Sequence, residues 1–305
     1  MTRMIVDCDP GLDDAIALIL AHEHADILGV TTVTGNAPLT STTANALMIT
    51  SLIGADTPVH SGASRPLVGE PKHALTVHGQ SGLGSLEPFV HDRVVTSRDA
   101  VGFLLEAAAD VWIVAIGPLT NVALAIDRDP TWARRVAGIS IMGGSTSVGN
   151  VTPVAEFNIY ADPEAARKVF SSGAKITMSG LNLTHQLRTS AMHIENLRAA
   201  KSSRADFAMQ ALEFLHERMA VVNDQHGAIL HDACAVLAVT HPHLIETKLR
   251  TVDVEVGGRL TRGMTVVDQR VTKTDVQANV NVAYRIDTVR AMDLVMQALG
   301  ADQDH

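Results

Sequence analysis

Aromatic residues and cysteines are scarce in this chain. Only 3% of its 305 residues are Phe, Trp or Tyr, and its two cysteines are Cys8 and Cys234. So few cysteines argue against a disulfide framework and favour a reducing compartment. No apolar run comes near the roughly 18 residues needed to span a bilayer, and the first residues contain no readable signal peptide. We therefore expect a cytoplasmic protein with no membrane partner.

The chain also lacks an excess of basic residues. Lys and Arg number 24 against 33 Asp and Glu, which gives a formal net charge of −9. We therefore expect no nucleic-acid partner, since binding to nucleic acids depends on Lys and Arg that displace counterions. An acidic chain can still bind a cation where several carboxylates converge. With 46% hydrophobic residues it can bury a sizeable core, which excludes a disordered chain.

Apolar runs and helical patterns alternate along the first part of the chain. The run Ile27–Val33 is β-branched and continuous, as expected for a strand buried on both faces. The predicted strands are Met4–Val6, Ile27–Val33, a short one near Val59, Val111–Ile116, Val136–Met142 and Ala174–Met178. The predicted helices are Asp13–His24, Pro38–Ile53, Leu119–Ile126 and Asp162–Ser171. This alternation predicts an α/β fold with an open, mostly parallel, doubly wound, Rossmann-like sheet.

The last third of the chain has a different pattern. Its predicted elements are the helices Arg204–Val222, Asp232–Thr240 and Asp287–Leu299 and the antiparallel strands Val252–Val256, Met264–Val267 and Val280–Tyr284, with Gly257–Gly258 in a turn. We expect these strands to form a C-terminal antiparallel extension of a single domain that spans residues 1–305. The segment Pro66–Asp92 has no clear periodicity and reads as a long surface loop, a kind of segment that is often functional.

The most informative segment is the acidic turn, which we define as residues Asp7–Asp14. Its four carboxylates repel one another unless a cation or protons neutralise them. It follows the first strand, at the carboxyl edge of the sheet where open α/β folds bind ligands. Oxygen donors at this density favour Ca²⁺ or Mg²⁺ over zinc. A helix N-terminus that merely attracts acidic residues would account for Asp13 or Asp14, but not for Asp7 and Asp9.

Two other acidic motifs fit this turn less well. An EF-hand loop that began at Asp7 would need Glu at its twelfth position, where Leu18 stands. A phosphatase with an aspartyl nucleophile would suit Asp7 and Asp9 on the first strand. The hydroxyl residue that usually follows in such enzymes is missing, because Gly11 occupies its place. The phosphatase remains an alternative on these residues alone.

Together with the acidic turn, three later segments resemble one known family. These segments are Ala115–Asn121 (AIGPLTN), Met142–Gly144 (MGG) with Ala155–Asn158 (AEFN), and His231–Cys234 (HDAC). In order and spacing they resemble the inosine–uridine preferring nucleoside hydrolases. The resemblance implies an open α/β fold, one Ca²⁺ in each active site, a homodimer or homotetramer, and cleavage of ribonucleosides to free base and ribose.

The resemblance also implies roles for particular residues. The calcium ligands would be Asp9, Asp14, Asp232 and the main-chain carbonyl of Ile116. The ribose would contact Asp13, Asn36, Met142, Asn150, Glu156 and Asn158, and Asp7 would support the acidic turn from beneath. From the residues alone, Asn36 and Asn150 also fit turn positions beside glycine, and Glu156 and Asn158 fit the exposed face of a strand.

Cleavage of an N-glycosidic bond needs these residue types for a chemical reason. The sugar gains oxocarbenium character in the transition state, so fixed anions and tight hydroxyl contacts stabilise it. Calcium lowers the pKa of a bound water, and Asp9 is expected to accept that water's proton. A protein that binds nucleosides with calcium but does not turn them over is the alternative from another class. It would need no proton acceptor beside the metal.

The base side of the expected site is less clearly marked. His231 precedes Asp232, and we expect it to bind the base, either as the acid that protonates it or as an orienting contact. Related sequences often carry tyrosines before this His-Asp pair, whereas Leu215–Leu230 has no aromatic residue. This departure favours uridine and cytidine over purine nucleosides. The candidates for the base pocket are His78, Met219 and Asn223.

Overall fold

A computed structural model of the chain describes residues 1–86, 89, 91–221, 227–270 and 277–301. Its strands are β1 (Thr2–Cys8), β2 (Ala25–Thr32), β3 (Val59–Ser61), β4 (Val111–Ala115), β5 (Gly138–Met142), β6 (Ile176–Ser179), β7 (Ile245–Arg250), β8 (Val252–Val254), β9 (Thr265–Val267) and β10 (Val280–Ile286).

The helices lie mostly between consecutive strands. They are α1 (Leu12–His24), α2 (Leu39–Leu52), α3 (Leu75–His78), α4 (Ala100–Leu105), α5 (Thr120–Arg128), α6 (Trp132–Arg135), α7 (Phe157–Ala161), α8 (Pro163–Phe170), α9 (Leu181–Thr184), α10 (Ala191–Ala200), α11 (Ser203–Val221), α12 (His231–Thr240) and α13 (Thr288–Ala298), with a 3₁₀ helix at Pro242–Leu244. Within the described ranges, no helix is both long and apolar enough to cross a membrane.

The main sheet has eight strands in the order β3-β2-β1-β4-β5-β6-β10-β7. Every neighbouring pair from β3 to β10 is parallel, and only β7 runs antiparallel to its neighbour. The chain proceeds from β1 outward to β3 on one side, then returns to β4 on the other side of β1. This reversal places a crevice at the carboxyl end of β1, which is where open α/β sheets bind ligands. The prediction of an open, mostly parallel sheet is confirmed.

Helix α1, whose first turn carries residues of the expected site, is buried on all sides. Residues Leu12–Ala21 are all buried, and they pack with the sheet and with α12. A helix that is apolar around its whole circumference belongs in a core. The start of α1 and the start of α12 are therefore both held rigidly at the crevice.

The predicted antiparallel extension is correct in part. The strands β8 and β9 pair antiparallel to each other, as expected for Val252–Val256 and Met264–Val267. Val280–Tyr284 was wrongly grouped with them, because β10 joins the main sheet parallel to β6. The antiparallel partner of β10 is β7, which the sequence did not predict. This edge strand exposes four consecutive residues and so shows neither an apolar run nor an alternation.

The segment Pro66–Asp92 is not wholly a surface loop. It contains the short helix α3, and His78, Leu83 and Leu86 within it are buried. His78 contacts Leu12 of the acidic turn, α3 contacts α11, and Leu83 and Leu86 belong to the hydrophobic core. The pattern was missed because the apolar residues are too few and too irregularly spaced to show a period.

Candidate active site

The acidic turn is closed by its own side chains. It connects the end of β1 to the first turn of α1, where Asp14 accepts the backbone N–H of Gly11 at 2.9 Å and that of Asp9 at 3.3 Å. Asp14 is the third residue of α1 and caps the helix that it belongs to. The helix-capping alternative is thus correct for Asp14, and it leaves Asp7 and Asp9 for another explanation.

Asp7, the first residue of this turn, is completely buried. Its Oδ1 accepts hydrogen bonds from Thr31 Oγ1 at 2.5 Å and from Asn121 Nδ2 at 2.8 Å, while Oδ2 has no partner in the described part of the chain. Burial raises the pKa of Asp7 to about 6, against the opposing effect of these two hydrogen bonds. Asp7 is not among the residues that line the cavity described below.

Asp9 is held between two glycines. A Cβ atom at Gly35 would lie 2.0 Å from Asp9 Oδ2, and one at Gly117 would lie 2.5 Å from Oδ1, so neither position has room for a side chain. The backbone N–H of Asn36 donates to Oδ2 at 2.6 Å. The other oxygen, Oδ1, is buried and has no hydrogen-bond partner among the described residues. Burial, followed by the charge of Asp14, raises the pKa of Asp9.

Three carboxylates converge at the starts of α1 and α12. Asp13, Asp14 and Asp232 each offer an oxygen, and these oxygens lie within 4.8 Å of one another. Burial raises the pKa of Asp14 to about 7 and shifts that of Asp232 upward, and neighbouring aspartates add to both shifts. Within the described ranges no Lys or Arg forms an ion pair with this cluster. Such clustered anions need protons or a cation.

The donor set fits a hard divalent cation. All the side-chain donors are carboxylate oxygens at the starts of two buried helices. Asp9, in the same turn, has a carboxylate oxygen without a partner among the described residues, and burial and then the charge of Asp14 raise its pKa. The converging set contains Asp13, which was expected to bind ribose, and does not contain Asp9, which was expected to bind calcium. The assignment of Asp9 and of the Ile116 carbonyl as ligands therefore stays a prediction.

A cavity of about 470 Å³ opens above the carboxylate cluster. All six residues that were predicted to contact ribose line it, together with Ile116 and Asp232. They come from the acidic turn, the segment after β2, the end of β5, the segment between β5 and α7, and the start of α7. These positions are far apart in the sequence and meet because they all lie at the carboxyl edge of one sheet. Those six residues are Asp13, Asn36, Met142, Asn150, Glu156 and Asn158.

Glu156 and Asn158 do not lie on a strand face. Glu156 is the N-cap of α7, and its carboxylate accepts the backbone N–H of Asn158 at 2.9 Å, of Ile159 at 3.2 Å and of Gly144 at 2.9 Å. Burial nonetheless raises the pKa of Glu156 to about 7. The Asn158 Nδ2 donates to the carbonyl of Ile116 at 2.8 Å, so it contacts a predicted metal ligand directly.

The other two asparagines on the sugar side have partners of their own. Asn36 Nδ2 donates to Asp14 Oδ2 at 2.8 Å and to the Asp9 carbonyl at 3.2 Å, which ties the end of β2 to the acidic turn. Asn150 Oδ1 accepts the backbone N–H of Phe157 at 3.0 Å. Both asparagines also line the cavity, so neither is only a turn residue. Their contact with ribose stays a prediction.

Two histidines line the cavity where we expect the base to bind. His231 Nδ1 lies 2.8 Å from Thr184 Oγ1, and burial lowers the pKa of His231 to about 4, so the ring is neutral at pH 7. His78 Nδ1 accepts the backbone N–H of Leu12 at 3.2 Å, which places the proton of the neutral ring on Nε2. That Nε2 lies 4.0 Å from Asp13 Oδ1.

The remaining lining on this side is largely aliphatic. Met219 lines the cavity as predicted, and Asn223 lies outside the described residues. Phe157 is the only aromatic carbon ring among the lining residues that the structure describes. Besides His78 and His231, the lining here includes the aliphatic Ala74, Val77, Leu215, Ala228 and Ile229 and the polar His185 and Arg188.

Several residues of the site were not found from the sequence. Asn121 lay within a quoted motif but was given no role of its own, whereas it donates a hydrogen bond to Asp7. Thr184, which contacts His231, carries no local signal at all. His185 and Arg188 line the cavity beside His231, and they follow β6 at the sheet edge where a search for polar residues would have found them.

The fold is that of nucleoside hydrolases. A plant nucleoside hydrolase superposes with a TM-score of 0.91 at 34% identity over 99% of both chains. A purine-preferring ribonucleoside hydrolase from Gardnerella vaginalis has the same TM-score at 29% identity over 98% of both. The chain belongs to the inosine-uridine preferring nucleoside hydrolase family, whose pattern matches residues 4–293.

Curated relatives agree with this placement. The inosine-uridine preferring nucleoside hydrolase of Leishmania major is 37% identical over 97% of both chains. The pyrimidine-specific ribonucleoside hydrolase RihA of Shewanella baltica is 40% identical over 98% of this chain and 96% of its own. The predicted enzyme class is confirmed: the chain is a ribonucleoside hydrolase that cleaves the N-glycosidic bond. The phosphatase and the binding protein without turnover gain no support from these relatives.

Proposed function

We propose that this hydrolase uses one Ca²⁺, held by Asp9, Asp14, Asp232 and the main-chain carbonyl of Ile116. The observation that supports this most directly is the convergence of buried carboxylates beneath the cavity, with no cationic side chain paired to them in the described ranges. Calcium suits such an all-oxygen donor set. When bound, it would neutralise the cluster, orient ribose hydroxyls and lower the pKa of a water.

We assign Asp9 as the acceptor of the proton that the attacking water loses. One oxygen of its carboxylate is held by the backbone N–H of Asn36, which fixes the orientation of the group. The other oxygen is buried and has no partner among the described residues, so a proton can be taken up there. Water then adds to C1′ of the ribose as the bond from C1′ to the base nitrogen breaks.

The sugar is bound by polar groups that are already ordered. Asp13, Asn36, Asn150, Glu156 and Asn158 address its hydroxyls, and the Met142 side chain packs against the ring. Most of these groups are held by hydrogen bonds within the protein, so little reorganisation is needed when ribose binds. The carboxylates of Asp13 and Glu156 stabilise the positive charge that develops on the sugar.

The leaving base is bound on the histidine side. His231 donates a proton or a hydrogen bond to the departing base, and His78 presents its Nε2–H to the same region. We expect uridine and cytidine to be the better substrates, because the described lining of the cavity offers little aromatic surface on which a purine could stack. The pyrimidine specificity in the name of the RihA relative supports this preference.

The remaining parts of the proposal concern the setting of the enzyme. Both cysteines are buried and unpaired, which suits a reducing, cytoplasmic compartment and a role in nucleoside catabolism and salvage. We further propose a single domain over residues 1–305 and a homodimer or homotetramer in solution. Size-exclusion chromatography with light scattering tests the assembly.

A panel of ribonucleosides tests the activity and the base preference. Purified protein with calcium is incubated with uridine, cytidine, inosine and adenosine, and free ribose is measured. We expect ribose to be released, with the highest kcat/KM on uridine or cytidine. A higher kcat/KM on both purine nucleosides would contradict the proposed preference, and no ribose from any of them would contradict the activity.

A further inference from the structure

One buried amide joins the acidic turn to the segment that carries His78. Asn45 lies on α2, and its Nδ2 donates to the carbonyl of Pro10 at 2.8 Å and to the carbonyl of Ser81 at 2.9 Å. Pro10 belongs to the acidic turn, and Ser81 belongs to the segment after α3. Both hydrogens of one side-chain amide are thus used to hold two functional segments together.

The close approach of these segments depends on a glycine. Gly82 has a φ of +91°, a backbone conformation that side chains rarely adopt. A Cβ there would lie 2.9 Å from Asn45 Nδ2 and 3.1 Å from the Pro10 carbonyl oxygen. A side chain at this position would therefore strain the segment and push it away from Asn45.

The position of Ser81 is passed on to His78 through a tight turn. The backbone N–H of Gly84 donates to the carbonyl of His78 at 2.7 Å, which closes the turn around Ser81. The His78 ring is then held by the N–H of Leu12 on Nδ1, with Nε2 at 4.0 Å from Asp13 Oδ1. We therefore expect a displacement of Ser81 to shift the His78 ring relative to the acidic turn.

We infer that Asn45 is a positioning residue for nucleoside binding: it fixes the His78 ring relative to Asp13 and so determines affinity for the base. Neither Asn45, Ser81 nor Gly82 lines the cavity, so Asn45 acts through His78 and not by contact with substrate. The effect should fall mainly on the base side, because His78 is the proposed base contact, whereas five of the six proposed sugar contacts lie outside the two segments that Asn45 joins. This inference rests on the proposed base-side role of His78.

The test separates base affinity from sugar affinity. In Asn45→Ala and in Gly82→Ala the KM for uridine should rise about tenfold, as expected for one lost hydrogen-bonded contact. The inhibition constant of free ribose, which lacks the base, should stay within about twofold of the wild-type value. In the double variant, KM should rise no further than in the stronger single variant, because both changes break the same link.

Two variants, one on α2 and one just after its C-terminal end, serve as controls. Gly54→Ala also places a Cβ at positive φ (+66°), but nothing lies within 4 Å of it. Thr50→Ala removes a buried hydroxyl that bonds only within α2. Both should leave KM for uridine unchanged. If Asn45→Ala does not fold, Asn45→Ser and Gly82→Ala carry the same comparison.

An unchanged KM for uridine in the folded variants would overturn the inference. A ribose inhibition constant that rises in step with KM would also overturn it, because the damage would then lie in the whole site. Loss of ribose release in the wild-type enzyme would instead count against the proposed function, so the two failures are distinguishable.

Discussion

Asn121 and Asp7 are 114 residues apart in the chain, yet Asn121 Nδ2 donates to Asp7 Oδ1 at 2.8 Å beneath the acidic turn. The same amide nitrogen donates to the Thr32 carbonyl at 3.0 Å, and its oxygen accepts the N–H of Ala63 at 2.8 Å. Asn121 thereby joins the start of α5 to the ends of β1 and β2. We expect the geometry of the predicted metal ligands to depend on this support.

Replacing Asn121 should weaken both stability and metal binding. Asn121→Ala leaves the buried carboxylate of Asp7 with fewer donors, which should lower the free energy of unfolding by about 1–3 kcal/mol. Loss of such a supporting contact should also lower the affinity for calcium about 10- to 100-fold. Denaturant unfolding and a calcium titration measure the two effects.

Asn279→Ala is the matched control for Asn121→Ala. Asn279 also makes three hydrogen bonds, to the backbone of Phe170 and Val252, in a part of the chain that does not line the cavity. This variant should lose stability but keep its calcium affinity. Equal calcium affinity in the two variants would mean that Asn121 supports only the fold.

Removing the basicity of Asp9 should affect turnover more than binding. Asp9→Asn keeps an oxygen that can contact a cation, but it can no longer accept a proton at neutral pH. A loss of a general base predicts a kcat lower by about 10² or more, with the inhibition constant of ribose much less affected. Asp162→Asn, which changes a buried carboxylate that does not line the cavity, is the control. Near-normal kcat in Asp9→Asn would assign the base to another group.

The sequence predicted the part of the site that lies in short segments. Asp7, Asp9 and Asp14 are close together in the chain, and their place after a buried strand indicated both the sheet edge and a cation site. The parallel sheet followed from continuous apolar runs such as Ile27–Val33. These features are local, so they can be read from a few consecutive residues.

Contacts between distant segments could not be predicted in this way. Thr184 meets His231, and Asn45 meets Ser81, only because separate elements pack together. Glu156 was compatible with a strand face because residues 156–159 alternate, but its carboxylate in fact caps a helix. The edge strand β7 has an exposed polar face, so no apolar pattern revealed it.

Ribose recognition predicts strong discrimination against 2′-deoxyribonucleosides. Asp13 and the asparagines of the cavity would be left with unpaired polar groups if the 2′-hydroxyl were missing. Such a loss can mean about 10⁴-fold discrimination, so kcat/KM for deoxyuridine should fall far below that for uridine. Competition between the two substrates in one reaction measures this ratio. Equal rates would be incompatible with the proposed sugar contacts.

The role of His231 can be separated from that of the sugar site by the choice of leaving group. If His231 protonates the departing base, His231→Ala should slow uridine strongly and p-nitrophenyl riboside only slightly, because nitrophenolate leaves without a proton. The low pKa of about 4 means that the ring is neutral in the unliganded enzyme at pH 7. Similar losses on both substrates would indicate that His231 only orients the substrate.

The central claim is that hydrolysis requires a calcium ion held by Asp9, Asp14, Asp232 and the main-chain carbonyl of Ile116, where buried carboxylates converge. The most direct measurement is ribose release from uridine by protein that has been exhaustively freed of metal, as verified by elemental analysis, before and after calcium is added back. We expect no activity without metal, full recovery with calcium, and no recovery in Asp14→Ala, which should retain no metal. Full activity of the metal-free wild-type protein would contradict the account.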